Sequence, residues 1–256
     1  LRGHLAKVGA GVILALILVA AFAPQLSPYD PTEQRLEDMV RPPGQVHLLG
    51  TDDLGRDILS RLLYGARVSL VVGVLSVGIS LLIGVSLGLV AGYRGGWFDE
   101  VIMRLMDSLL AFPALVLALA ITAALGPSLG NAMIAIGIVG IPGFARLVRG
   151  QVLSIRAQEF VEAARAAGLG DRRIILRHIA PNVLAPIIVH ASLRIAFAVL
   201  AEASLSFLGL GAQPPTPSWG SMLNAGREYL EMAPWLCIAP GAAIFITTLS
   251  FNFLGD

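Results

Sequence analysis

The amino-acid sequence predicts an all-α integral membrane protein with six transmembrane helices. Of its 256 residues, 56% are hydrophobic and only 14% are charged, whereas soluble domains carry roughly 25% charged residues. The mean hydropathy of the whole chain is +0.78. The apolar residues are grouped into segments close to the about 20 residues that a helix needs to cross the hydrocarbon core of a bilayer. The lipid bilayer is therefore the first partner that the sequence predicts.

Six apolar segments account for the predicted helices. They are residues 8–26, residues 68–92, two stretches within the uncharged run 108–145, residues 183–205 and residues 234–254. The run 108–145 is too long for one helix, and residues 126–131, which contain Gly and Pro, supply a turn that divides it. The first segment is longer than the roughly 7–15 apolar residues of a signal peptide, so we expect a retained helix.

The distribution of basic residues predicts the orientation of these helices. If the N-terminus is cytoplasmic, most of the 18 lysines and arginines fall in cytoplasmic segments, as the positive-inside rule requires. Both termini are then cytoplasmic, and residues 27–67 form a long extracytoplasmic loop. In that loop, Asp52 or Asp53 is expected to cap a helix over residues 54–64 that lies along the membrane surface.

Small residues in the second span predict where another helix packs. Gly84, Gly88 and Gly92 recur every four residues and form a ridge on one face of the helix. Residues 84–88 also match the G-x-S-x-G pattern of hydrolases around Ser86, but that pattern belongs on a strand-to-helix turn. Since the middle of an apolar span offers no such turn, we interpret the ridge as a helix-packing surface.

Three ionisable side chains interrupt the fifth span. Arg194 lies near its middle, where a charge costs at least about 2.5–3.5 kcal/mol. His190 precedes Arg194 by one helical turn, and Glu202 follows it by eight positions. The three side chains line a translocation path, or Arg194 is structural, either in an ion pair with a neighbouring helix or in a shifted span that lets it snorkel to the interface. The sequence leaves both interpretations open.

A charged, Ala-rich segment, residues 158–182, separates the fourth span from the fifth. Its first half is predicted to form a short helix with a thin surface that ends at Gly168, since glycine readily adopts the left-handed cap. Asp171 is expected to cap a second helix over residues 172–180, which Pro181 closes. Such a segment either docks in a cleft of a partner protein or is an ordinary solvated loop. The predicted docking residues are Glu159, Glu162, Ala163, Ala164, Arg165, Gly168, Asp171, Arg172 and Arg177.

No catalytic, metal or cofactor site is predicted within this chain. Lys7 is the only lysine, and no G-x-x-x-x-G-K-[ST] motif is present to hold nucleotide phosphates. No two of the four histidines have the spacing of a metal site on one helix. Cys237 is the only cysteine, which excludes an intrachain disulfide. The net charge of +1 gives no indication of nucleic-acid binding. If the protein uses ATP, another subunit must hydrolyse it.

Several motifs together resemble the permeases of ABC importers. Glu162, Ala163 and Ala164, followed by Gly168, resemble the EAA motif of that family. Residues 49–70, 201–220 and 251–256 are similar to segments of dipeptide, oligopeptide and nickel permeases, and the C-type subunit is the best match. The resemblance implies an N-terminal transmembrane helix and loop in residues 1–67 and a five-helix type I importer core in residues 68–256. It also implies a cytoplasmic coupling loop over residues 146–182, whose helix docks on an ATPase subunit.

The resemblance further implies a heteromeric importer of the bacterial inner membrane. This chain would be a non-catalytic permease that assembles with a second homologous permease, two ABC ATPase subunits that bind ATP and Mg²⁺, and an extracytoplasmic solute-binding protein. Di- or oligopeptides are the expected solute, with nickel or glutathione as alternatives. An autonomous secondary transporter that uses Arg194 and Glu202 is the competing class. The residues expected to contact the binding protein or gate the path are Pro214, Pro215, Pro217 and Trp219.

Overall fold

The computed structural model describes residues 2–255, and its regular elements are helices. They are α1 (Arg2–Ala21), α2 (Ala23–Leu26), α3 (Ile58–Arg94), α4 (Gly96–Leu110), α5 (Ala114–Leu125), α6 (Leu129–Ile155), α7 (Glu159–Ala166), α8 (Asp171–Ile174), α9 (Ala180–Phe207), α10 (Trp219–Gly226) and α11 (Trp235–Gly255). A π-helical turn, Ile175–Ile179, joins α8 to α9, and short 3₁₀ turns cover Leu36–Asp38 and Arg227–Tyr229. The predicted all-α fold is confirmed over the described residues.

Five helices are long and apolar enough to cross a membrane: α1, α3, α6, the combined helix Asp171–Phe207, and α11. Helices α4 and α5 form a sixth candidate span, but their axes are bent by 90°. The bend follows from Pro113, which disfavours helical conformation in the residue before it, so that α4 ends at Leu110. The 12 residues of α5 extend only about 18 Å at 1.5 Å per residue. The predicted third span is therefore a bent pair.

The helices alternate in direction, which defines two ends of the bundle. We call one the α7 end; it holds the C-terminal ends of α3 and α6 together with α7 and α8. The other, the loop end, holds residues 27–57 and residues 208–234. Gly9 of α1 packs against Ser250 and Phe253 of α11, and α11 begins at the loop end. The first turns of α1 and the last turns of α11 are therefore directed toward the α7 end.

Helix α3 runs without interruption through 37 residues. Its start contradicts the prediction of a separate surface helix before the span. Its N-cap is Asp57, whose carboxylate accepts a hydrogen bond from the Ser60 amide at 2.8 Å. Asp52 is held in a turn instead, where its Oδ1 accepts from the amides of Leu54 and Arg56. The predicted surface helix over residues 54–64 is wrong, because the helix begins after Asp57 and continues directly into the span. The boundary drawn between residues 67 and 68 falls inside α3.

Glycine brings the backbones of α3 and α6 into contact. A Cβ atom on Gly84, Gly88 or Gly92 would lie 2.6–2.8 Å from an atom of α6, closer than carbon atoms approach one another. Any other residue at these three positions would separate the helices. The Ser80 hydroxyl adds a hydrogen bond between them, which it donates to the Gly137 carbonyl at 2.6 Å. Small residues and interhelical hydrogen bonds are the interactions that hold helices together in lipid.

Alanine substitution tests this contact. We expect Gly88→Ala to destabilise the detergent-solubilised protein by about 1–3 kcal/mol, the usual cost of overpacking, because its Cβ would lie 2.6 Å from the Ala145 carbonyl oxygen. Gly78→Ala in the same helix is the matched control, since nothing lies within 4 Å of its Cβ position. Thermal unfolding followed by tryptophan fluorescence measures both. Equal melting temperatures for the two variants would contradict a tight contact between α3 and α6.

Candidate functional site

Helix α7 is a two-turn helix at the α7 end that exposes one face. Val161 and Ala164 are buried against the bundle, while Glu159, Glu162 and Ala163 are exposed. Ala164 was expected among the docking residues, but it faces the membrane helices because it lies three positions from Val161 on the same side of α7. Ala164 is therefore unavailable to a partner.

The exposed face of α7 also carries an aromatic side chain that the sequence reasoning missed. Phe160 is 40% exposed, and its ring lies 6.4 Å from that of His178. The signal was present in the sequence, since Phe160 is the one bulky apolar residue among small and charged neighbours that does not fall on the buried side. An exposed aromatic ring beside alanines gives this helix an apolar tip as well as a charged rim.

The C-terminus of α7 is closed by a Schellman motif. The Leu169 amide donates to the Ala164 carbonyl at 3.1 Å, and the Gly168 amide donates to the Arg165 carbonyl at 2.9 Å. Gly168 has φ = +77°, the left-handed conformation that this motif requires. Leu169 turns back onto the core that contains Ala164. The end of α7 is thus fixed to the bundle.

Tyr93, at the C-terminal end of α3, ties both sides of this turn to the membrane helices. Its hydroxyl donates to Asp171 Oδ1 at 2.7 Å, and the Arg165 guanidinium lies over its ring, 5.5 Å from the centroid. Arg156 Nη1 donates to the carbonyls of Gly92 and Tyr93. These contacts link the last turns of α3 and α6 to α7 and α8. Of the predicted docking residues, Arg165 and Asp171 therefore take part in intramolecular contacts.

The second predicted helix does not end at Pro181. Gly170, not Asp171, occupies the N-cap position of α8, and the helix continues through the π-turn and α9 as one span, Asp171–Phe207. Proline normally breaks a helix because its ring clashes with the carbonyl four residues earlier. Here that carbonyl belongs to Arg177, inside the π-turn, where the wider ladder of hydrogen bonds displaces it. Arg172 and Arg177 are exposed along this segment.

His190 and Arg194 lie between α9 and α6, where glycines of α6 leave room for them. The His190 ring meets Phe144 edge-on, with the ring centroids 4.8 Å apart. A Cβ on Gly140 would lie 3.0 Å from Arg194 Nη2, and one on Gly143 would lie 3.1 Å from His190 Nε2. Among residues 2–255, no carboxylate is paired with Arg194. The structural ion pair considered for Arg194 is therefore not formed within the described chain.

Glu202 is separated from these two side chains. It is fully buried, and its Oε1 accepts a hydrogen bond from the Ser206 hydroxyl at 2.6 Å. Ser206 in turn accepts from the Ala212 amide at 2.9 Å, so Glu202 holds the turn that follows α9. Eight residues of helix place it about 12 Å from Arg194 along the axis. The three predicted path residues thus form two sites.

A polar cavity of about 430 Å³ opens at the loop end, between residues 53–61 and residues 206–229. Pro214 and Pro215 are exposed and line it. Pro217 and Trp219 do not contribute a surface, because both are buried. The Trp219 indole packs on Gly65, and its Nε1 donates to the Leu62 carbonyl at 3.0 Å. The expectation that these four residues contact the binding protein or gate the path stays a prediction, and only Pro214 and Pro215 offer an exposed surface for it.

Two glycine variants test how the end of α7 is fixed. Gly168→Ala is expected to cost roughly 1–2 kcal/mol, because an L-residue is strained in the left-handed conformation. Hydrogen exchange of a peptide that spans residues 158–172 should then become faster. Gly150→Ala is the matched control, since Gly150 lies inside α6 on the α7 side of the bundle and has open space around its Cβ position. Equal exchange rates in the two variants would show that the Schellman turn does not hold α7 in place.

Family comparisons agree with this geometry. Residues 84–256 match the family described as the binding-protein-dependent transport system inner membrane component. Residues 1–43 match the N-terminal transmembrane domain of oligopeptide transport permease C. The first match covers more than half of the chain, including α6, α7, α9 and the whole loop-end segment before α11.

Relatives are similar over the full length. The dipeptide transport system permease protein DppC of Alkalihalophilus pseudofirmus is 50% identical over 255 residues, covering 100% of this chain and 84% of that protein. The glutathione transport system permease protein GsiD of Pectobacterium atrosepticum is 47% identical over 257 residues, covering 100% and 85%. The di/tripeptide transport system permease protein DppC of Pseudomonas aeruginosa is 48% identical over 250 residues, covering 95% and 82%.

A solved structure supports the fold. An inward-facing conformation of the MetNI methionine ABC transporter matches this chain with a TM-score of 0.64 at 18% identity, and it covers 78% of this chain and 94% of that chain. At this identity the similarity bears on architecture only. Together with the family match and the relatives, it confirms the resemblance found in the sequence. The chain belongs to the inner-membrane permease components of binding-protein-dependent transport systems.

Proposed function

We propose that this chain is the pore-forming permease subunit of an ATP-driven importer of di- and oligopeptides. The observation that carries the proposal is similarity over the full length: relatives that are 50% and 48% identical are named for dipeptide or di/tripeptide transport. The aligned region includes the loops at both ends of the bundle, where this proposal places the solute and the partner proteins. The subunit is itself non-catalytic, and the ATP and Mg²⁺ are bound by its partners.

On this proposal the α7 end faces the cytoplasm and the loop end lies outside the bacterial inner membrane. Charge supports this orientation, since the α7 end carries most of the arginines of the chain, as the positive-inside rule expects. Both termini are then cytoplasmic. Helix α1 and the loop before α3 form an N-terminal unit, and the chain from Ile58 onward forms the permease core with its coupling loop, residues 146–182.

Helix α7 is the proposed contact with the ATPases. Its exposed alanines, Ala163 and Ala166, let a groove close around the helix. Phe160 supplies apolar area, and the two glutamates of the helix supply charge at the rim. Each of two ABC ATPase subunits would receive one such helix, one from this chain and one from a second homologous permease. Arg172 and Arg177 extend the contact along α8 and the π-turn.

The contacts of α7 supply a route from the ATPases to the path. Asp171 is bonded to Tyr93 of α3, and α8 continues into α9, which carries His190 and Arg194. A displacement of α7 therefore moves α3, α6 and α9 as one body. A charged residue within a span usually faces a path or a bundle interior, so Arg194 is the proposed contact for a solute carboxylate. The second permease completes the path, and the binding protein docks near Pro214 and Pro215.

Glutathione is the second candidate solute. The support for this alternative is the GsiD relative, which is 47% identical over the whole chain. Glutathione is itself a modified tripeptide with free carboxylates, so the same basic residues would suit both solutes. The extracytoplasmic binding protein that delivers the solute decides between them, and transport distinguishes the two candidates.

Reconstituted transport tests the solute. Proteoliposomes with both permeases, the ATPases and the binding protein are expected to accumulate labelled dialanine when ATP is supplied. Unlabelled dialanine should compete better than glutathione or Ni²⁺. Uptake of glutathione without uptake of dialanine would assign the second candidate. Uptake by this chain alone, without ATP, would instead identify an autonomous secondary transporter.

A charge reversal on α7 tests coupling. Glu162→Arg should lower dialanine-stimulated ATPase activity and uptake by about tenfold, which corresponds to a loss of ~1.4 kcal/mol in docking. Because Glu162 is exposed, the fold should be retained. Glu231→Arg is the matched control, since Glu231 is equally exposed but lies at the loop end. The role of α7 is contradicted by unchanged co-purification together with unchanged stimulated ATPase activity.

A further inference from the structure

The loop-end cavity has the dimensions of a ligand site. Its volume of about 430 Å³ lies within the roughly 300–1,000 Å³ of small-molecule sites. One wall is the start of α3 and the loop before it, and the other runs from the end of α9 through α10 to the turn Arg227–Tyr229. The walls carry several ionisable side chains, of which Arg227 and Glu228 are exposed, whereas Arg61 and Asp53 each have a buried polar atom without a hydrogen-bond partner in the described residues.

The neighbouring side chains of Asp52 and Arg56 already bind each other. Asp52 Oδ1 accepts hydrogen bonds from the Leu54 and Arg56 amides, both at 2.9 Å. Asp52 Oδ2 accepts from Arg56 Nε at 2.7 Å. Asp52 is 5% exposed and Arg56 is 8% exposed, so the pair is a closed structural unit. It leaves little bonding capacity for another cation.

Arg61 is a buried cation whose ion pair, with the Asp52 carboxylate, is shared with Arg56. It is 4% exposed, and its only hydrogen bond among residues 2–255 runs from Nη1 to the Pro31 carbonyl at 3.0 Å. Its Nε has no acceptor in the described chain, and the nearest carboxylate oxygen, Asp52 Oδ2, is 3.4 Å away and already bonded. Because a guanidinium stays protonated, its burial is offset only by an anion.

Asp53 presents the opposite charge to the same cavity. Its Oδ1 is buried and has no donor among the described residues, and the nearest guanidinium nitrogen, Arg56 Nη2, is 3.6 Å away. Burial and the neighbouring Asp52 carboxylate raise the pKa of Asp53 above its usual range. A cation placed beside it would stabilise the ionised form.

We propose that this cavity binds a small zwitterion, with Arg61 holding its carboxylate and Asp53 holding its ammonium group. A free peptide carries both groups on one short backbone, so the inference deepens the proposed function and rests on it: the site would receive the solute at the loop end. An inorganic anion would satisfy Arg61 and leave Asp53 without a donor. The enclosed volume also suits a small molecule better than a protein surface.

Direct binding tests the site in the assembled permease–ATPase complex in nanodiscs, without the binding protein. Labelled dialanine and labelled alanine are the probes, and N-acetyl-dialanine amide, which lacks both charges, is the competitor. We expect Asp53→Asn and Arg61→Lys each to weaken binding of both probes by at least about tenfold, since each removes or displaces a buried charge partner. Arg35→Gln is the matched control, because Arg35 lies in the same loop but outside this cavity. The blocked competitor should not displace either probe.

The outcomes separate this inference from the proposed function. Equal binding by the wild type, Asp53→Asn and Arg61→Lys would overturn the site, even if the complete importer accumulates dialanine. Displacement by the blocked peptide, or binding of inorganic phosphate in place of alanine, would also overturn it. If the complete importer transports no dipeptide, the proposed function fails, and binding of labelled alanine still decides whether the cavity takes a zwitterion. Asp53→Asn is the safer variant for folding, since Asp53 Oδ1 makes no hydrogen bond in the described chain.

Discussion

The backbone contact between α3 and α6 is the constraint on which the remaining helices depend. Because glycine allows the two backbones to touch, α3 and α6 pack as one rigid unit. Helix α9 packs into glycine gaps of both: Ile195 meets Gly73 of α3, and Arg194 meets Gly140 of α6. Packed interfaces of this kind switch between discrete arrangements and do not deform continuously. On the proposed function, α3, α6 and α9 would therefore move together as a rigid body, with Arg194 between α9 and α6.

Helix α3 connects the two ends of the bundle physically. At about 1.5 Å per residue its 37 residues extend about 55 Å, well beyond the about 30 Å hydrocarbon core. Its first turns therefore project past the lipid, where Asp57 caps the helix and also meets His47 Nδ1 at 2.9 Å. Its last turn holds Tyr93 and the α7 anchor. This length explains why buried charges such as Arg61 are tolerated at the start of the same helix that forms an apolar span.

The sequence predicted those features that depend on near neighbours. The apolar spans, the spacing of Gly84, Gly88 and Gly92 and the glycine that ends α7 are all written in residues a few positions apart. The errors concern side-chain contacts that the residue pattern does not reveal. The sequence predicts Asp52 or Asp53 as the cap, whereas Arg56 binds Asp52 and Asp57 caps α3. A tryptophan in a Pro-rich loop suggests exposure, yet Trp219 is buried by its contact with Leu62, 157 residues away.

Arg61, buried at the loop end, shares its nearest carboxylate with Arg56, and Arg194, half-buried deeper in the bundle, is paired with no carboxylate of the described residues. A guanidinium removed from water without an acceptor costs free energy while no solute is bound. Other contacts between the surrounding helices therefore hold both arginines in place. An anionic group that binds beside the guanidinium offsets this cost. On the proposed function, the carboxylate of a peptide would meet the same chemistry at two depths of one subunit. An acid, Asp53, lies near Arg61 but not near Arg194. The loop end would therefore bind both termini of the solute, whereas the deeper site would bind its carboxylate alone.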